Sequence, residues 1–146
     1  MKTKTATGAG TDRRLARWLL GGTLVVAGTG HLTTQREEFQ AQVPEWMPLD
    51  EDLVVLASGV AEIALGLALI VLRRQQRAVG LVVAGFFVAV FPGNVGQYVE
   101  GTDAFGLDTD TKRLIRLFFQ PLLVLWALWS TGVVGRRARR ETANMP

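Results

Sequence analysis

The chain has 146 residues, 49% of them hydrophobic and 20% charged, and 16 Lys and Arg against 13 Asp and Glu leave a net charge of +3. It contains no cysteine and one histidine, which excludes a disulfide scaffold, a thiolate metal site and a bis-histidine haem within one chain. Its charges cluster at the two ends and in short interludes, with only Glu62 well inside an apolar run, a segregation that excludes disorder, a coiled coil and a nucleic-acid domain with basic residues spread over its surface.

Residues 1–13 open on MKTKTATGAGTD, polar and small, and are predicted to be disordered. A first apolar run, LARWLLGGTLVVAGTGHL, covers 15–32. Residues 33–52 contain VPEWMP, which reads as a segment lying in a membrane interface with Trp46 at headgroup depth. A second run at 53–72 holds Glu62, and a third at 78–99 holds no charge. The turn-rich stretch 100–112 is predicted to be exposed. A fourth run at 114–134 is interrupted by Arg116 and Gln120, and the basic tail 136–146 follows.

A bilayer core about 30 Å thick takes roughly 20 apolar helical residues, and all four runs reach or approach that length. A soluble bundle would place polar residues along a water-facing stripe, and the second and third runs have none. The fold class expected is all-α: a four-transmembrane-helix bundle over 14–135, without an internal repeat. The basic start and small residues of the first run also have the shape of a cleaved signal peptide, but its length and polar end favour a span.

Twelve of the 16 basic residues fall in the N-terminal segment, in the link between the second and third runs and in the tail. The other two loops are acidic. Positive charge stays on the cytoplasmic side, so both termini are expected in the cytoplasm, with the protein integral to the plasma (inner) membrane. The basic tail then lies near anionic headgroups, and no nucleic-acid partner is expected.

Polar side chains within spans are costly, so their depth is informative. At a rise of about 1.5 Å per residue, Glu62 sits roughly 15 Å below Asp52, near mid-membrane. His31 ends the first span, Asn94 lies in the outer third of the third, and Arg116 and Gln120 stand one turn apart on the fourth. These five come from four spans and share one half of the bilayer, while the cytoplasmic half reads as almost purely apolar. They are the candidate ligand-binding or proton-relay residues of one outward-opening pocket. Ser58, Glu62 and Gly66 fall on one helical stripe, as do Gly21, Gly28 and His31, and small residues on such stripes allow close helix contact. Pro92 and Pro121 leave carbonyls near Val88 and Leu117 without their helical donors. Structural roles compete at each position. Glu62 can be a protonated acid bonded between helices, His31 a donor to a carbonyl, Asn94 and Gln120 interhelical glue, and Arg116 a snorkelling cation. Trp18, Trp126 and Trp129 read as interfacial or packing aromatics.

Taken in order, AGTGHL, VPEWMP, SGVAEIALGLALI, VFPGNVGQYV and RLFFQPLLVLWALW resemble the DoxX-like family of small four-helix membrane proteins. The matching positions are Gly28 and His31, Val43 to Pro48, Ser58 to Glu62, Phe91 to Asn94, and Arg116, Gln120 and Trp126, over roughly residues 14–132. Leu32 replaces the family's usual Phe, and Gly93 its usual Ala. The family takes its name from a subunit of a thiosulfate:quinone oxidoreductase and is functionally heterogeneous, so the resemblance implies a redox-associated membrane role. The leading expectation is a non-catalytic partner or assembly factor, with lipid and a membrane or redox protein as partners. A quinone-linked oxidoreductase subunit is the alternative, in which His31, Asn94, Arg116 and Gln120 hold a quinone head and Glu62 relays a proton. A small-solute permease is the third. No cofactor fingerprint is evident beyond that quinone. No metal site is expected, because His31 and Glu62 alone are too few ligands.

Overall fold

The computed structural model describes residues 8–135, and over them the chain is helical, without strands. Its elements are α1 (Gly8–Leu32), α2 (Arg36–Gln40), α3 (Glu51–Val71), α4 (Gln76–Glu100) and α5 (Asp110–Ser130). Side chains start two of them: Asp50 accepts from the Leu53 amide and Thr109 from that of Lys112, each satisfying a backbone donor that the first helical turn leaves open. Gly101, at φ 68°, ends α4 in the left-handed conformation that glycine adopts without cost.

By length and composition, α3, α4 and α5 can each cross a membrane. Their outer faces expose Val60 and Leu67, Leu81 and Val88, and Phe118, Leu122 and Leu125. Apolar side chains turned outward along whole helices suggest a membrane protein in contact with lipid. In α1, glycines, threonines, Arg17 and His31 dilute the apolar content.

The helices differ from the sequence reading at their edges. Residues 8–13, expected to be disordered, form the first turns of α1. Arg13 anchors them, donating to the Gly135 carbonyl and lying 5.4 Å from the Trp129 ring centroid. Residues 1–7 and the tail 136–146 lie outside the described residues. The short helix α2 was not anticipated, and α5 both starts and stops about four residues before the predicted fourth run.

The four long helices pack as a ring, α1 on α3, α3 on α4, α4 on α5 and α5 on α1. The α1–α3 seam is built on glycine. Gly21 faces Gly66, and Gly28 faces Gly59; a Cβ at Gly66 would lie 2.5 Å from the Gly21 carbonyl oxygen, and one at Gly28 2.5 Å from that of Gly59. The glycines are seven residues apart on both helices, two turns of each, so the close approach repeats along an antiparallel pair. At the α4–α5 seam Gly80 receives the Thr131 side chain. Leu20, Leu24, Leu69, Val83, Phe87 and Ala127 form the core. The Trp126 indole donates to the Ala16 carbonyl at 2.9 Å and joins α5 to α1.

That end of the bundle is less purely apolar than its sequence suggested. Arg17 is 2% exposed and donates to Gln76 Oε1 at 2.7 Å. Gln76 opens α4, and its amide oxygen is an acceptor placed where an arginine one turn beyond the basic start of α1 can reach it.

Candidate functional site

At the opposite end, where α1 stops and α3 starts, the helices enclose a cavity of about 440 Å³. His31, Glu62, Asn94, Arg116 and Gln120 all line it. Val54, Val55, Phe119 and Leu123 supply apolar wall, and Phe39, Gln42 and Met47 reach in from the α1–α3 connection.

His31, in the last turn of α1, is buried. Its Nδ1 lies 2.9 Å from the Ala27 carbonyl oxygen and 3.0 Å from Glu62 Oε2. Nδ1 carries at most one proton and a carbonyl can only accept, so a protonated Nδ1 donates to Ala27, while an unprotonated one can accept only from a protonated Glu62. Glu62 Oε2 is near the imidazole without a hydrogen bond in line with it, and it is buried with no donor among the described residues. The structure therefore combines the carbonyl-bonded histidine with the close His31–Glu62 approach that a shared pocket requires. The His31 ring also stacks on Phe39, with centroids 3.3 Å apart at 16°.

Arg116 lines the cavity and does not snorkel outward. Nη1 donates to Gln97 Oε1 at 3.2 Å and Nη2 to Gln42 Oε1 at 3.0 Å, while the guanidinium lies 5.3 Å from the Phe105 ring centroid. Two neutral amides and an aromatic face hold the cation, with no counter-ion among the described residues. Asn94 Nδ2 donates to Gln120 Oε1 at 2.9 Å, and Gln120 Nε2 donates to the Phe87 carbonyl at 2.6 Å. The carbonyl used is one residue before Val88, the one that Pro92 leaves without its helical donor.

Gln42 is the residue that sequence reasoning missed. It is 8% exposed, its oxygen accepts from Arg116, and its Nε2 is buried without a partner. The only signal for it was its place just before VPEWMP. That segment is seated on α4 rather than lying wholly in an interface: Pro44 packs on Gly96 and the Gln42 carbonyl faces Gly93, although Trp46 is 66% exposed. The stretch 100–112 is exposed at most of its residues, as expected, but Ala104 is buried and Phe105 is half-buried against the α1–α3 connection. Phe105 adopts φ 54°, an uncommon conformation for an aromatic residue; its amide donates to Glu38 Oε2 at 2.6 Å and its ring meets the edge of Phe39.

Outside the spans, Arg36 clasps Asp52 through two hydrogen bonds, and Gln40 donates to the same carboxylate at 2.7 Å. The hydrogen bond to Asp52 holds the Arg36 guanidinium above its usual range. Asp108 is held below the usual carboxylate range, first by its hydrogen bond from Lys112 Nζ at 2.7 Å and then by its own backbone. Among the described residues no group of three or more His, Cys, Asp or Glu gathers closely enough to hold a metal ion.

A family model described as a domain of unknown function, DUF8561, matches residues 20–131, a span that contains all five candidate residues. No curated protein and no solved structure matches the chain.

Proposed function

The chain belongs to the DUF8561 family, and from its geometry we propose that it is a DoxX-like, four-span protein of the plasma membrane. In this reading both termini face the cytoplasm, and the protein serves as a non-catalytic partner or assembly factor of a membrane redox system. Its cavity takes the polar head of a lipid-phase ligand. The supporting observation is one cavity of about 440 Å³ with apolar walls, a buried donor without a partner among the described residues, Gln42 Nε2, and a buried acceptor, Glu62 Oε2, with His31 Nδ1 at 3.0 Å but no hydrogen bond in line with it. Such atoms cost free energy unless a partner satisfies them. A ligand carrying both an acceptor and a donor satisfies both. The asymmetry of Lys and Arg supports the orientation: reporter fusions at residue 75 and at the C-terminus should both read cytoplasm, and a periplasmic signal from either overturns it.

Purification in mild detergent, followed by identification of bound lipids, quinones and proteins, tests the function. A stoichiometric membrane protein partner supports the reading, and a protein recovered alone with an empty cavity overturns it. The His31–Glu62 contact favours one second reading, a quinone-linked oxidoreductase subunit. There Gln42 and Asn94 are the amides available to a quinone oxygen, and Glu62 beside His31 is the group to move a proton. The quinone would supply the redox chemistry. Bound quinone, together with quinone-dependent turnover abolished by Glu62→Gln, selects this reading over the first.

A further inference from the structure

The half of the bundle away from the cavity contains a second cleft, of about 220 Å³, lined by Arg13, Arg14, Arg17, Arg73, Gln76 and Ser130 among others. Its space is about seven times the roughly 30 Å³ that one water takes in the liquid. Four arginines from the start of α1 and the α3–α4 turn converge on it, and among the described residues none of them forms an ion pair. Arg17 is the decisive member. It is 98% buried as a residue, with 2% exposed, and only Nη1 has a side-chain partner, the neutral Gln76; its Nε is buried and unpartnered. Burying a guanidinium without a counter-charge is expensive. The sequence beyond the described residues deepens the imbalance: 1–7 and 136–146 add Lys2, Lys4, Arg136, Arg137, Arg139 and Arg140 against Glu141.

We propose that this cleft is a binding site for a phosphate-bearing anion, held by Arg17 from below and by Arg14 and Arg73 at its rim. A guanidinium presents paired N–H donors that match two phosphate oxygens. Ser130 Oγ donates to the Ala127 carbonyl at 3.3 Å, so the arginines are the charged donors of the cleft, beside the Gln76 amide whose oxygen Arg17 holds. The cleft lies where α1 begins and α3 gives way to α4, the level at which a bilayer places its headgroups if these helices span it. The anion can thus be a phospholipid headgroup or a free phosphate. The site is separate from the cavity lined by Glu62 and does not depend on what that cavity binds.

The test uses the full chain in non-ionic detergent, with inorganic phosphate, short-chain phosphatidylglycerol and short-chain phosphatidylcholine as probes, read by thermal shift and native mass spectrometry. Phosphatidylglycerol or phosphate should bind and raise the melting temperature, and phosphatidylcholine should bind at least tenfold more weakly than phosphatidylglycerol. Binding of phosphatidylglycerol with no response to phosphate identifies a lipid site; a comparable response to phosphate identifies a small-anion site. Arg14→Gln combined with Arg73→Gln, both exposed and so compatible with folding, should weaken binding tenfold or more. The control pair Arg74→Gln and Arg77→Gln removes the same charge from the same end outside the cleft, and should weaken it less than twofold. Equal weakening by the two pairs would show diffuse attraction and overturn the site, as would failure of both phosphate and phosphatidylglycerol to bind.

Discussion

The two helix seams, α1 on α3 and α4 on α5, solve one problem by different chemistry. In lipid, tails are as apolar as the helices, so the hydrophobic effect does little to join helix to helix. The α1–α3 seam answers with backbone proximity: paired glycines leave no side chain between the helices, and dispersion and Cα–H···O contacts act at close range. The α4–α5 seam answers with side-chain hydrogen bonds, Asn94 to Gln120 and Gln120 to the Phe87 carbonyl. The first device tolerates no added volume. The second is as tight where Gly80 meets Thr131, but at Asn94 and Gln120 it depends on donors rather than on the absence of side chains. The cavity lies between the two pairs at one end, where its lining leaves polar atoms unspent.

The largest effect should come from adding volume to the glycine seam. Gly66→Leu would drive a side chain into the Gly21 carbonyl, and overpacking of this kind costs about 3 kcal/mol or more when backbone must move. A large fall in the melting temperature in detergent is expected, and an unchanged melt would show that α1 and α3 are held by something else. The amide seam should respond less. Asn94→Leu and Gln120→Leu should each cost about 1–2 kcal/mol, the second more because it also strips the Phe87 carbonyl of its donor. A double-mutant cycle should give a coupling of about 0.6 kcal/mol, in the range measured for interhelical bonds in membranes. Zero coupling would dissolve the contrast between the seams.

Glu62→Gln should change stability by less than about 1 kcal/mol, since an amide of the same shape can keep the approach to His31 Nδ1. A severe loss would mean that the acid holds the bundle together. The smallest effect concerns the α4–α5 connection. The folded-state pKa of Asp108 is lowered by Lys112, so its contribution is present above the usual aspartate range and is lost as pH falls through the lowered value. Amides 102–109 should exchange faster in Asp108→Asn than in the natural chain at pH 7, and the two should converge only once the pH has fallen below the lowered Asp108 value. A difference that persists in acid would assign the effect to something other than charge.

Helix identity and the gathering of the five polar residues around one cavity were legible because both follow from periodicity: Glu62 and Gly66 one turn apart, Arg116 and Gln120 likewise. What escaped depends on contacts across the chain. Gln42 becomes a site residue only because Gly93 and Gly96 let its loop settle on α4, and a loop conformation has no period to read. The inward fold of Phe105 needs Glu38, 67 residues away, to accept from its amide. Arg116 could be read as a snorkelling cation because its charge is visible in a sequence, whereas the two amides that hold it, Gln42 and Gln97, are not. Arg17 looked like the ordinary basic flank of a span until Gln76 and the packing of α1 buried it.

The Trp126–Ala16 hydrogen bond is placed far from the cavity it affects. It clips α5 to α1 at one end of the bundle, while His31 stands at the other, about 15 residues or 22 Å further along α1. The indole is thus a pivot with a long lever arm. A splay of about 5° between α1 and α5 around it widens the gap at His31 by about 2 Å, enough to change what can slip in from the lipid side without breaking a bond in either seam.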